Sequence, residues 1–299
     1  MSASSPHRKH VADVLGSTIA YIDEGEGRPV VFLHGNPTSS YLWRRVLPHL
    51  TDRCRAIAPD LIGMGDSGKP DIGYTLDDHC RYTDAFLDAL SLEHPAVLIG
   101  HDWGGVIAVR RARRDPGRVA ALVLMETHLP PAMPAPDYAA TGDGADFFRQ
   151  VREAGTGERM VLEDNVFVET VLPDHGVLRS LGEEEMAVYR SPFPDPDSRL
   201  PILQWAREIP IEGTPERSVE ILSRNNAWLL SSPLPKLLLH ARPGALVTDE
   251  VVEYLRGRAT NLDTAFVGEG THFIQEDVPD AIGQAIATWL AGLDAERAP

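Results

Sequence analysis

The chain is short of three things. It has two cysteines in 299 residues, Cys54 and Cys80, and they have neither the spacing of metal ligands nor that of a disulfide framework. No apolar run approaches the roughly 20 residues that a bilayer span requires. Basic charge is scarce: 28 Lys and Arg stand against 44 Asp and Glu, a net charge of −16. Such a surface repels phosphate backbones and anionic lipid, which excludes nucleic acid and membrane as partners. Residues 1–10 are polar and lack the apolar centre of a secretory signal, so the expected location is the cytoplasm. Hydrophobic residues make up 43% of the chain, enough for a sizeable core in one large domain. Monomer and homo-oligomer both stay open.

Short apolar runs alternate with helical stretches. Residues 19–23 read as an edge strand, and 29–33, 54–59, 95–99 and 119–125 as buried strands. Helices are expected over 40–50, 77–90 and 106–114. From Pro130 the pattern changes to weaker, helix-like segments bounded by Pro-rich bends, up to about Pro215. It then resumes with helices over 216–230, 248–258 and 279–293 and strands over 236–241 and 262–267. This alternation predicts an α/β fold, a mostly parallel eight-stranded sheet with helices on both faces. The expected organisation is a core from 1–129 and 215–299, interrupted by a helical cap at 130–214. Ligands of such sheets bind at the carboxyl ends of the strands.

One turn carries the most chemistry. Gly100-His101-Asp102-Trp103-Gly104-Gly105 follows a strand and opens a helix, the arrangement of a nucleophile elbow. The central residue is Asp where most elbows carry Ser. A carboxylate is already ionised at pH 7 and suits displacement at saturated carbon, leaving an ester on the enzyme. A helix N-cap would equally explain an Asp here. Glu126 follows the next strand and His272 the last one, giving the chain order nucleophile, acid, histidine. Imidazole is the side chain best suited to general base work near neutrality. Alone, Glu126 also reads as a cap or ion-pair partner, and His272 as an exposed loop residue. Their shared position at strand ends joins them to Asp102.

Several stretches together resemble the haloalkane dehalogenases of the α/β-hydrolase superfamily, over about 20–293. They are His34-Gly35-Asn36-Pro37-Thr38, Pro59-Asp60-Leu61-Ile62-Gly63-Met64-Gly65, the elbow, Met125-Glu126, Tyr189-Arg190-Ser191-Pro192-Phe193 and His272-Phe273-Ile274-Gln275-Glu276-Asp277. The resemblance implies that Asp102 displaces halide and forms an alkyl ester. It implies that Asn36 and Trp103 hold the halide ion, that His272 activates the hydrolytic water and that Glu126 orients His272. It implies a small halogenated hydrocarbon as substrate and no metal or organic cofactor. Many relatives place the acid in the turn before the penultimate helix. Here that turn, Arg242-Pro243-Gly244-Ala245-Leu246-Val247, has no carboxylate, and Asp249 reads as a helix N-terminal charge. By resemblance, Phe147, Phe148, Val151, Val166, Phe167, Leu172 and Leu246 line the access path.

Three rivals share the scaffold. Epoxide hydrolases also use an Asp elbow, but need two cap tyrosines, for which Tyr189 is one candidate and 146–151 offers no hydroxyl. Coelenterazine-type luciferases keep the same five residues. A ligand-binding protein without turnover has no need of all five.

Overall fold

The computed structural model describes residues 6–297. Half of the polar start, residues 1–5, lies outside the described residues, and so do 298–299. Eight strands form one sheet in the order β1-β2-β4-β3-β5-β6-β7-β8. They are β1 (Lys9–Val14), β2 (Ser17–Glu24), β3 (Arg28–Leu33), β4 (Cys54–Pro59), β5 (Ala96–His101), β6 (Val119–Met125), β7 (Lys236–Pro243) and β8 (Leu262–Gly270). β2 runs antiparallel to both β1 and β4, and the other pairings are parallel.

The expected edge strand is therefore not the edge. β1 covers it, and Val11 on β1 is largely exposed. Its sequence, KHVADV, is too polar for a buried-strand pattern. Pairing with β2, burial of Val14 in the core and the ion pairs of Lys9 with Asp60 and Asp66 hold it there. A second expectation also fails: 40–50 is not one α-helix but two 3₁₀ turns, Ser40–Trp43 and Leu47–His49. Pro48 has no N–H for a carbonyl one turn back, and its ring would strike that turn.

The pleat sorts the core into two layers. Val31 and Leu33 of β3 face one cluster, together with Leu76, Phe86, Val106 and Ile107. Val30 and Phe32 face the other, with Trp43, Ile282, Ile286 and Leu290. Adjacent residues of a strand point to opposite faces, so one apolar run feeds both layers. The first layer is covered by helices α1 (Leu76–Ala89) and α2 (Trp103–Arg114). The second is covered by the helix Pro279–Arg297. Thr75 starts α1 with a capping box to Asp78, which satisfies N–H groups that a helix start leaves free.

The chain leaves β3 for β4 on one side and then crosses to β5 on the other. That reversal opens a crevice beyond the carboxyl ends of β3 and β5. Between β6 and β7 the described residues hold helices Ala145–Arg152, Glu183–Arg190, Leu200–Arg207 and Glu216–Ser231, with irregular turns and two isolated bridges at Ile211.

Candidate active site

The elbow is built from close approaches. A Cβ on Gly100 would lie 2.4 Å from Gly105 Cα, and one on Gly104 would lie 2.1 Å from Leu33 O. Side chains at either place would push α2 off the sheet. Asp102 sits between them with φ 52° and ψ −126°, and its side chain makes no cap bond to α2. A left-handed backbone at a non-glycine residue costs about 1–3 kcal/mol and is held only by its surroundings. Here the holders are explicit. Asp102 N–H donates to Glu126 O at 3.0 Å. Thr127 Oγ1 donates to Asp102 O at 2.5 Å. The N-cap reading of Asp102 fails, because the carboxylate turns away from its helix.

That carboxylate points into the crevice. Asn36 N–H donates to its Oδ1 at 2.8 Å. Gly35 permits this approach, since a Cβ there would meet Oδ1 at 2.0 Å. Oδ2 has no backbone donor and faces two imidazoles, His272 Nε2 at 3.7 Å and His128 Nε2 at 3.5 Å. Burial alone would raise the Asp102 pKa. The neighbouring His128 and His272 outweigh it and hold the carboxyl well below the usual carboxylate range.

His272 lies between two carboxylates, with Nδ1 at 3.7 Å from Glu126 Oε2. Burial would lower its pKa, but Glu126 and Asp102 together raise it above the ordinary 6.5. Its loop is clasped from both sides. His101 Nε2 donates to His272 O at 2.9 Å, and Phe273 N–H donates to Gly176 O at 2.8 Å. Glu126 is fully buried and has its own cradle. The N–H groups of Ala245, Leu246 and Val247 donate to it at 3.0, 2.8 and 3.3 Å. The turn that lacks a carboxylate thus holds the carboxylate of the neighbouring strand. Asp249 is the first residue of the helix Asp249–Arg256 and pairs with Arg242 at 3.1 Å.

Not every histidine near the crevice is available. His34 Nδ1 donates to Gly35 O at 2.9 Å and its Nε2 accepts from Leu61 N–H at 2.8 Å. Burial drives its pKa down to about 4. It is a neutral strut under the Asn36 turn.

A cavity of about 240 Å³ opens above Asp102, with Asn36, Trp103, His128 and His272 around the carboxylate. Phe148, Phe167 and Leu246 line it as expected. Phe147, Val151, Val166 and Leu172 do not. Val151 and Leu172 are fully buried in the core, and Phe147 packs edge-on against Phe148 and Phe167. Trp103 stacks on Trp205 at 4.8 Å and 18°. Asn36 Nδ2 makes one long contact, 3.4 Å to Ile202 O, which leaves that donor weakly engaged. Tyr189 is elsewhere: its hydroxyl donates to buried Glu276, which also pairs with Arg44 at 2.5 Å and with Arg179.

The structure thus brings together all five expected residues, Asn36, Asp102, Trp103, Glu126 and His272. Sequence reasoning missed His128 and the N–H cradle at 245–247. His128 lies two residues after Glu126 at the end of β6, and that position was its available signal.

Comparison with known proteins agrees with this geometry. The α/β hydrolase fold family matches residues 28–279. A haloalkane dehalogenase of Mesorhizobium japonicum is 46% identical over 289 residues, 96% of this chain and 92% of the relative. One of Sphingobium indicum is 45% identical over 290 residues, 95% and 96% of the two chains. Among solved structures, haloalkane dehalogenase DbeA from Bradyrhizobium elkani superposes with a TM-score of 0.92 at 42% identity, covering 97% of this chain and 99% of that one. DatA from Agrobacterium tumefaciens gives 0.88 at 36%, covering 97% and 98%. With Asp102, Glu126 and His272 gathered at the switch point of an eight-stranded sheet, near-full-length similarity at these identities shows that the chain belongs to the haloalkane dehalogenase family of the α/β-hydrolase fold.

Proposed function

We propose that this protein hydrolyses carbon–halogen bonds of small haloalkanes through an alkyl ester on Asp102. The observation that carries the reading is the Asp102 carboxylate itself. It is ionised, buried and aimed into the cavity, with Oδ1 held by Asn36 N–H and Oδ2 free of backbone donors. Oδ2 attacks the carbon from the side opposite the halogen. Trp103 Nε1–H and Asn36 Nδ2–H place partial positive charge where the halide develops. His272 Nε2 then takes a proton from water, whose oxygen attacks Cγ of the ester. Glu126 keeps the ring in the tautomer with Nδ1–H and balances the imidazolium. Asn36 N–H, already on Oδ1, stabilises the oxyanion. The products are an alcohol, a halide ion and a proton.

Segment 130–214 acts as the cap in this reading. Phe148, Phe167, Val171 and Ile209 close the cavity over the strand ends and exclude bulk water. A cavity of about 240 Å³ suits a short chain better than a large drug-sized ligand. The epoxide reading is disfavoured by Tyr189, whose hydroxyl is spent on Glu276. No tyrosine lines the cavity.

Halide release from 1,2-dibromoethane and 1-iodobutane, with Asp102→Ala beside the wild type, tests the proposal. Release by the wild type alone supports it. Release by both, or by neither, removes it.

A further inference from the structure

His128 has no part in the five-residue scheme, yet it touches the reacting oxygen. Its side chain is buried, with a relative exposure of 3%. Nε2 lies 3.5 Å from Asp102 Oδ2. Neither ring nitrogen has another hydrogen-bond partner among the described residues. The ring tilts over the Trp103 indole at 4.6 Å and lines the cavity. What sets it apart from the other buried imidazoles, such as His79, is its place at the cavity beside Oδ2. Oδ2, not Oδ1, is the oxygen that will carry the alkyl group, because Oδ1 is occupied by Asn36 N–H.

We propose that His128 is the general acid of the second step, protonating the alcohol oxygen as it leaves. This rests on the reading of Asp102 as nucleophile. Water gives a proton to His272 Nε2 and bonds through oxygen to Cγ. The Cγ–Oδ2 bond then breaks and its electron pair stays on Oδ2. Oδ2 takes the Nε2 proton of the His128 imidazolium and departs as the neutral alcohol. The carboxylic acid left on Asp102 returns its proton to His128, and His272 releases its own to solvent. The sum is ester plus water giving carboxylate, alcohol and one proton. An unassisted alkoxide is strongly basic and leaves poorly. His128 Nε2 lies 3.5 Å from Oδ2 and His272 Nε2 3.7 Å, so the leaving oxygen has an acid beside it while His272 takes the water proton.

The test separates ester formation from ester hydrolysis by rapid quench and intact mass, in wild type, His128→Phe and His128→Asn. With 1-bromobutane the variants form the alkyl ester at least as fast as wild type. They hydrolyse it about 10²-fold more slowly, at the low end of a general acid's contribution. With bromoacetonitrile, whose cyano-substituted alkoxide is a far weaker base, the deficit shrinks to within about tenfold, since a good leaving group needs less proton transfer. Bromide affinity is unchanged. Equal slowing of both steps, an equal deficit with both substrates, or weakened bromide binding without ester accumulation would overturn the assignment. If neither variant folds, the wild type still decides. Its ester hydrolysis should depend weakly on the acidity of the departing alcohol, and a steep dependence rejects the acid. Absence of an ester in wild type, or halide release by Asp102→Ala, instead defeats the underlying reading of Asp102.

Discussion

The backbone N–H of Asp102 donates to the carbonyl oxygen of Glu126 at 3.0 Å. The proposed nucleophile and its proposed acid are thereby joined through the main chain, at the ends of β5 and β6. Both residues have positive φ, 52° and 39°. Two strained turns on adjacent strands brace each other, and the strain aims both carboxylates at the same imidazole.

Glu126→Gln is expected to keep this bracing, because the bond uses backbone. It removes the charge that raises His272. In the proposed reaction the neutral imidazole is the base, so activity should fall as pH drops through the His272 pKa. In the wild type that limb lies above the ordinary 6.5. In the variant it moves to lower pH, and kcat falls by roughly 10²-fold or more. A pH–rate profile checks both. An unmoved limb would separate Glu126 from His272.

His272→Phe should stop the reaction after its first step. Halide equal to one enzyme equivalent is released, and the peptide containing Asp102 gains the alkyl mass. Phe fits because the ring already packs against Phe273 at 4.6 Å and His101 at 4.7 Å. Continued turnover, or no added mass after the burst, counts against a base at this position.

The fold was legible, and so was the meeting of the five expected residues at one crevice, because both rest on local pattern. Apolar runs marked the parallel strands, and Gly-rich turns marked their carboxyl ends. The strand 119–125 and the strand 54–59 appear with the expected bounds. What was not legible rests on contacts distant in sequence. β1 is a polar strand that exists through its register with β2. The N–H cradle of Glu126 comes from backbone at 245–247, which no side-chain motif announces. Val151 and Leu172 are as apolar as Phe167, and only the turn of their segments decides which reach the cavity. His128 was hidden for another reason: a single histidine after a strand says nothing until its distance to Oδ2 is known.

Trp103→Phe keeps the stack on Trp205 and deletes one N–H donor. Hydrogen bonds to a charged partner contribute about 1.5–3 kcal/mol, so bromide should bind roughly 10–100-fold more weakly. Carbon–halogen cleavage slows and ester hydrolysis does not. Bromide quenching of fluorescence together with single-turnover kinetics reads both. Unchanged affinity would remove Trp103 from the halide site.

Gly104→Ala probes the scaffold instead of the chemistry. Its Cβ would sit 2.1 Å from Leu33 O and close to His34 O, so β3 or α2 must move. Since β3 and α2 carry the residues on either side of the crevice, the variant should be poorly soluble or melt many degrees lower. A wild-type melting temperature would mean that the elbow has slack the distances deny.

Stability should fall in mild acid, and the buried histidines give the reason. Burial drives His34 down to about 4 and His101 to about 3, and lowers His79 well below 6.5. Above pH 6.5 these groups are neutral in both folded and unfolded chains. Below it the unfolded chain takes up protons that the folded one refuses, so stability is lost as pH falls from 6.5 toward 4. His272 has the opposite sign, since its raised pKa favours the folded state in acid, but it is one group against four, because burial lowers His240 as well. Each pKa unit is about 1.4 kcal/mol, so the net loss is on the order of several kcal/mol, or roughly 10 °C in melting temperature. Melts at pH 7.5 and pH 5 measure it. His79→Phe isolates one contributor. His79 stacks on Trp205 at 3.8 Å and 20° and has no hydrogen-bond partner, so a benzene ring keeps the stack without the titration. The variant should lose less stability between the two pH values than wild type. An equal loss would mean that His79 protonates freely in the folded protein, and its burial would then not govern the acid limb.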